Sequence, residues 1–283
     1  MKISDDFFDH KEEYKVTLAV IGTGNMGQAL VSGFLRKGVL KPNEIRLFDI
    51  DENKAEAFAR KTGCELAESA VEAADKADFV LVAVKPQVFD RTMESLSHKL
   101  GLSTVVISIA AAVSVSRIQN FLRKNAPVVR VMPNTPALAG AGVSAICFEN
   151  VGDKQKEQIV NMFKTCGMVI PCDEQTLDAI GSVSGTGPAY VMLFIEALAD
   201  AAVKLGIARN VAYEIAAMTV YGSGKLVIET GLHPAILKDQ VCSPGGTTIE
   251  GVMSLEKSGF RAAVHDAVDA AAQKKIKMAG GTK

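Results

Sequence analysis

The sequence predicts an α/β chain: an N-terminal doubly wound parallel sheet followed by an all-helical half. Three observations carry this. Short apolar runs alternate with helical patterns from about Val16 to Pro171, as in successive βαβ units. The first strand-to-helix junction holds three glycines, Gly22, Gly24 and Gly27. From about Asp173 onward only helical patterns remain.

Val16 to Ile21 reads as a short buried strand, followed by G-T-G-N-M-G and a helical pattern through about Arg36. Ile45 to Asp49 is the second strand and Asn53 to Lys61 the next helix. Phe79 to Val84 is continuous and apolar, as expected for a parallel strand covered on both faces. Thr104 to Ile109 repeats that pattern, and so does Val128 to Met132, which ends in M-P-N-T-P. Val143 to Phe148 and Met168 to Pro171 are candidate strands flanking a helix near Lys154 to Lys164.

In the second half, Gly181 to Pro188 is a Gly/Ser break. Ala189 to Leu205 is nearly apolar, with Glu196, Asp200 and Lys204 on one i, i+4 row. Val211 to Ile228 is a second long helix, and an Ala-rich helix, Phe260 to Met278, closes the chain. Helices this apolar need burial on several sides. A second copy of the same half supplies it, which predicts a homodimer or a dimer-based higher oligomer; a compact monomeric bundle is the alternative. The expected organisation is a charged extension over 1–14, a dinucleotide-binding domain over 15–172, and a helical substrate-binding and dimerisation domain over 173–283.

Composition narrows the function. The chain is 48% hydrophobic, with no Trp and 6% aromatics, so its core is aliphatic. Its 31 basic and 32 acidic residues give a net charge of −1, which supports neither nucleic-acid binding nor a membrane-surface role. The five Cys make no C-x-x-C and the four His are scattered; reduced thiols, a cytoplasmic location and no metal site are expected. The N-terminus has no apolar h-region, so no secretory signal is read there. The most apolar run, Tyr190 to Ile195, is too short to span a bilayer.

The glycine-rich junction reads as a Rossmann dinucleotide site, with Thr23, Asn25 and Met26 completing the loop. Gly22 makes the tight turn, Gly24 admits the pyrophosphate, and Gly27 lets the helix pack on the strand. Asp49, ending the second strand, is placed to accept hydrogen bonds from an adenosine ribose and to repel a 2′-phosphate. The alternative for Asp49 is a cap on the next helix, for which Asp51 competes. Ala83 and Val84 end the strand at 79–84 and Lys85 and Pro86 follow it, on the edge where open α/β sheets bind ligands. Ser108-Ile-Ala110-Ala111 and Met132-Pro-Asn134 line the same crevice, the small alanines suiting close approach of a nicotinamide.

Leu237 to Thr248 reads L-K-D-Q-V-C-S-P-G-G-T-T, ahead of the apolar helical pattern Ile249, Val252, Met253, Leu255. Pro244 suits a helix's first turn, and Gly245 and Gly246 let a ligand approach the backbone. The N–H groups of Gly246, Thr247 and Thr248 are expected as free donors to a small carboxylate or phosphate. An ordinary helix N-cap is the alternative.

G-x-G-N-M-G, A-V-K-P, S-I-A-A, M-P-N-T-P, S-G-T-G-P-A-Y and K-D-x-V-C-S-P-G-G-T-T occur in that order. The chain strongly resembles the pyrroline-5-carboxylate reductase family, from about Val16 to the final helix. The resemblance implies reduction of Δ1-pyrroline-5-carboxylate to L-proline by NADH or NADPH. It implies a helical domain interleaved with that of a partner copy. Carried over, Ser243, Gly246 and Thr247 hold the substrate carboxylate, the Thr248 hydroxyl meets the imine nitrogen, and Glu174 lies near bound substrate. Asp49 departs from the family habit of Ser or Thr with NADPH, and leans the reading to NADH. A β-hydroxyacid dehydrogenase shares G-x-G-x-M-G but needs a Lys early on the helix after Gly187; here the first is Lys204. A dinucleotide-sensing protein without turnover is the rival from another class, and the intact S-P-G-G-T-T argues against it.

Overall fold

The computed structural model describes residues 16–278; the charged extension over 1–14 lies outside them. One compact unit extends to Asp178 and a second starts at Ala179. In chain order the first contains β1 (Leu18–Ile21), α1 (Asn25–Arg36), β2 (Ile45–Phe48), α2 (Glu52–Thr62), β3 (Glu65–Leu66), α3 (Ala70–Ala74), β4 (Phe79–Val82), α4 (Pro86–Leu96), β5 (Val105–Ser108), α5 (Val115–Gln119), β6 (Val128–Met132), β7 (Gly142–Glu149), α6 (Asp153–Lys164) and β8 (Gly167–Pro171). The helices that follow are α7 (Glu174–Ser184), α8 (Gly187–Lys204), α9 (Arg209–Thr230), α10 (Pro234–Val241), α11 (Thr247–Lys257) and α12 (Phe260–Met278).

The sheet runs β3-β2-β1-β4-β5-β6-β7-β8. Strands β1 to β6 pair in parallel, in a register that aligns Phe48, Ile21, Val82 and Ser108 across four neighbouring strands. The chain winds outward in both directions from the β1–β4 seam, so the two following loops diverge there, as at a doubly wound switch point. Side chains alternate between the two faces. On one face Val20, Leu47, Leu81, Ile107, Val129 and Ile146 share a core with Phe34 of α1, Phe58 of α2 and Phe163 of α6. Phe34 and Phe163 meet edge to face at 5.7 Å.

The sheet departs from the all-parallel expectation at one seam, where β7 runs antiparallel to β6. A short 3-10 turn (Thr135–Ala139) turns the chain back directly, whereas a parallel return needs a crossover of about a dozen residues or more. The crossover through α6 then makes β8 parallel to β7. Several elements were not read from the sequence, among them β3, α3, α4, α5, α7 and α10. Strand β3 is two exposed residues at the sheet edge, and α3 spans five residues. The expected Gly/Ser break is shorter than read: α7 extends through Ser184 and α8 resumes at Gly187.

The second unit is helical, and by itself it buries little. Its apolar core is Ala199, Ala212 and Ala216, where α8 packs on α9. Large apolar side chains stay exposed: Leu193 at 67%, Met218 at 66%, Ile228 at 75%. That is far more than a stable isolated fold leaves uncovered. The helical stretch Glu174–Lys204 is also long and apolar enough to cross a membrane, by length and composition alone; the expectation from the shorter run Tyr190 to Ile195 missed this.

Candidate functional site

The β1–α1 junction is a tightly pinned glycine-rich loop. Gly22 has φ +106°, and a Cβ there would lie 2.7 Å from the Ala83 carbonyl oxygen. Its N–H donates to the Phe48 carbonyl at 2.8 Å, and the Ala83 N–H donates to Ile21 at 2.8 Å. The loop is therefore pinned between β2 and β4. A Cβ at Gly27 would collide with the Gly22 carbonyl, so α1 sits on the strand end at backbone contact. Gly24 differs, because no protein atom lies within 4 Å of a Cβ placed there. Internal packing does not require glycine at this position. Gly24 is the N-cap of α1 and no side chain caps that helix start, which leaves backbone N–H groups suited to an anion. Asn25 is exposed beside it, and Met26 packs back on the core.

Asp49 is engaged differently from expectation. Its Oδ2 accepts the Thr23 N–H at 2.6 Å and the Thr23 hydroxyl at 3.1 Å. Its Oδ1 accepts the Asp51 N–H at 3.1 Å. The cap of α2 belongs to Asp51, whose carboxylate accepts the Lys54 N–H. Asp49 thus holds the glycine-rich loop through Thr23. Gln28 secures the same residue by donating to the Thr23 carbonyl at 2.9 Å.

The neighbouring strand ends complete the edge. Ala83 and Val84 are half-buried, Lys85 is the exposed N-cap of α4, and Pro86 opens that helix. Ala110 is buried, with its N–H on the Ser108 hydroxyl at 3.3 Å, and Ala111 is half-buried. Asn134 is 7% exposed. Its Oδ1 accepts the Val143 N–H at 2.8 Å, which holds the start of β7.

Glu174 lies on the first turn of α7. Its Oε1 accepts from Arg130 at 2.7 Å and from the Val115 N–H at 2.8 Å. Arg130, 3% exposed on β6, also pairs with Asp178 at 2.8 Å. Sequence reading missed Arg130 and Asp178. A lone Arg inside V-V-R-V-M signals a buried charge in need of partners, but the sequence does not say which.

In the second unit, Ser243 to Gly246 forms a tight turn. Pro244 and then Gly245 at φ +67° occupy its centre, and the Gly246 N–H donates to the Ser243 carbonyl at 3.0 Å. Proline followed by a positive-φ glycine is the type II pattern. Two expectations are corrected. Pro244 belongs to this turn and not to the first turn of the helix, which starts at Thr247. The Gly246 N–H is spent in the turn and is not a free donor. A Cβ at Gly246 would collide with the Ser243 hydroxyl, which explains the second glycine. No side chain caps α11, and Ser243, Thr247 and Thr248 are exposed around its start. The arrangement suits a small anion held by hydroxyls and helix-start N–H groups.

The cysteines are free thiols. Burial pushes Cys64, Cys147, Cys166 and Cys172 above the usual thiol range, which disfavours the thiolate. Among the described residues no His, Cys, Asp and Glu cluster forms a metal site.

Residues 174–278 match the family model described as pyrroline-5-carboxylate reductase dimerisation, and residues 17–112 match the one described as NADP oxidoreductase, coenzyme F420-dependent. The pyrroline-5-carboxylate reductase of Escherichia coli (strain K12) is 40% identical over 262 residues, covering 92% of this chain and 97% of the relative. The Coxiella burnetii pyrroline-5-carboxylate reductase structure superposes with a TM-score of 0.86 at 32% identity, covering 95% of this chain and all of that one. A Plasmodium falciparum pyrroline carboxylate reductase structure with NADP bound gives 0.84 at 32% identity, covering 93% of this chain and 98% of that one. With relatives this similar along nearly its whole length, the chain belongs to the pyrroline-5-carboxylate reductase family.

Proposed function

We propose that the chain reduces Δ1-pyrroline-5-carboxylate to L-proline with NADH or NADPH, the last step of proline synthesis. The observation that carries this is the uncapped start of α11 behind the Ser243–Gly246 turn, with Thr247 and Thr248 at its mouth, in a chain of this family. The Ser243 and Thr247 hydroxyls hold the substrate carboxylate, and the lack of a side chain at Gly246 leaves room for the Ser243 hydroxyl. The Thr248 hydroxyl meets the ring nitrogen. Glu174 acts indirectly, tying α5 and α7 to Arg130.

The nicotinamide, when bound, supplies hydride. The cradle at Gly22, Gly24 and Gly27 fits the pyrophosphate of such a group, and Lys85, Ala110 and Ala111 border the same strand-end edge. A cyclic imine is most electrophilic when protonated, and the substrate brings its own proton from water. The chain's work is to orient the ring, hold its carboxylate and exclude solvent. No strong general acid is needed, in keeping with a motif set that lacks a His–Asp pair. Lys204 ends α8, four turns from the position a β-hydroxyacid dehydrogenase would use.

The working form in this reading is a homodimer or a dimer-based larger assembly in the cytoplasm. The exposed Leu193, Met218 and Ile228 face a second copy, and helices of both copies border each substrate pocket. The match of 174–278 to a dimerisation module favours a partner copy over a membrane as the cover for these helices.

Thr248→Val is the experiment for the assigned site. It keeps side-chain shape and removes the hydroxyl. An unsatisfied polar partner costs about 1–3 kcal/mol, so kcat/KM is expected to fall roughly ten- to hundred-fold, with the thermal midpoint unchanged. Wild-type kinetics would leave Thr248 with no part in turnover.

The cofactor reading leans to NADH. Asp49 puts a carboxylate at the end of β2, and the following Ile50, Asp51, Glu52 and Asn53 bring no cation. A 2′-phosphate beside them meets like charge. Asp49→Ser is expected to shift the ratio of catalytic efficiencies toward NADPH. A wild type that already prefers NADPH, with the ratio unmoved by Asp49→Ser, would remove Asp49 from the ribose.

A further inference from the structure

Thr23 occupies the variable second position of the glycine-rich loop, yet it is fully buried and polar. A buried hydroxyl needs a partner, and the partner here is a carboxylate, with charge-assisted contacts from both the N–H and the hydroxyl of one residue. Two bonds on one oxygen fix the carboxylate plane as well as its position. Oδ1 then keeps only the Asp51 N–H at 3.1 Å and retains acceptor capacity.

We propose that Thr23 is a specificity-determining residue: its hydroxyl locks the Asp49 carboxylate so that Oδ1 is presented to the adenosine ribose, and discrimination between NADH and NADPH depends on that lock. The inference rests on the reading of Asp49 as the residue that faces the ribose. Without the hydroxyl, the carboxylate keeps the Thr23 and Asp51 N–H groups but loses the second bond on Oδ2, and its charge is held less tightly in one place. Thr23 touches neither reacting atoms nor substrate; it acts through Asp49.

The test is direct titration of NADH and NADPH, followed by the nucleotide's own fluorescence. It uses the full-length wild type, Thr23→Val, Thr23→Ser, Asp49→Ser and the double variant Thr23→Val/Asp49→Ser. Thr23→Val is expected to weaken NADH binding about three- to ten-fold, the loss expected for one ordinary net hydrogen bond, while NADPH binding changes less. Thr23→Ser restores the wild-type ratio of dissociation constants. In the Asp49→Ser background the Thr23→Val change leaves the ratio unaltered, because the group it positions is gone. Equal weakening of both dinucleotides by Thr23→Val, or an undiminished effect on the ratio in the Asp49→Ser background, overturns the proposal. Substrate is absent from the titration. Failure to reduce the imine would therefore count against the proposed reaction and leave this result standing.

Discussion

Arg130→Ala is expected to destabilise the chain by about 3 kcal/mol, near the lower end of the range for breaking a buried ion pair. Arg130 is 3% exposed and holds Glu174 and Asp178 at 2.7 and 2.8 Å. Its removal leaves a void in β6 and two carboxylates without their cation. Both carboxylates are partly exposed, at 35% and 43%, so water recovers some of the loss. Glu174 Oε1 keeps only the Val115 N–H. Arg130→Lys retains the charge but not the fork that reaches both partners, and an intermediate loss is expected. Urea unfolding followed by circular dichroism measures both. A variant within about 0.5 kcal/mol of wild type, the usual range for an inconsequential surface change, would show that the cluster contributes nothing.

Met218→Glu is expected to dissociate the assembly and reduce activity by more than about ten-fold, since an unpaired charge in an apolar interface costs several kcal/mol. Met218 lies mid-way along α9, 66% exposed on a single chain, amid Ile215, Tyr221 and other uncovered apolar residues. Sedimentation velocity with and without the substitution reads the state directly. An active wild-type monomer, or unchanged sedimentation of Met218→Glu, would contradict the assignment of α9 to the interface.

What was legible in the sequence follows from which interactions are local. The three glycines of the β1–α1 junction and the run of apolar strands report backbone needs and burial that are written residue by residue. The reversal between β6 and β7 depends on the length of the link over 133–141, which was readable but outweighed by the alternating pattern. The turn at Ser243–Gly246 hid behind a helix-start pattern, because proline serves both a type II turn and a helix's first turn. Arg130 with Glu174 and Asp178, and Thr23 with Asp49, join residues far apart in sequence. Their charges and hydroxyls were visible; the pairing was set by strand register, which only the fold supplies. Asp49 shows the difference sharply: its place at the strand end was readable, its partner was not.

The decisive measurement is turnover of Δ1-pyrroline-5-carboxylate by the purified full-length chain, with NADH and NADPH in parallel and proline quantified. Dinucleotide oxidation matched mole for mole by proline is the expected result, with NADH the better donor. No proline with either dinucleotide, at any pH from mildly acid to mildly alkaline, would contradict it.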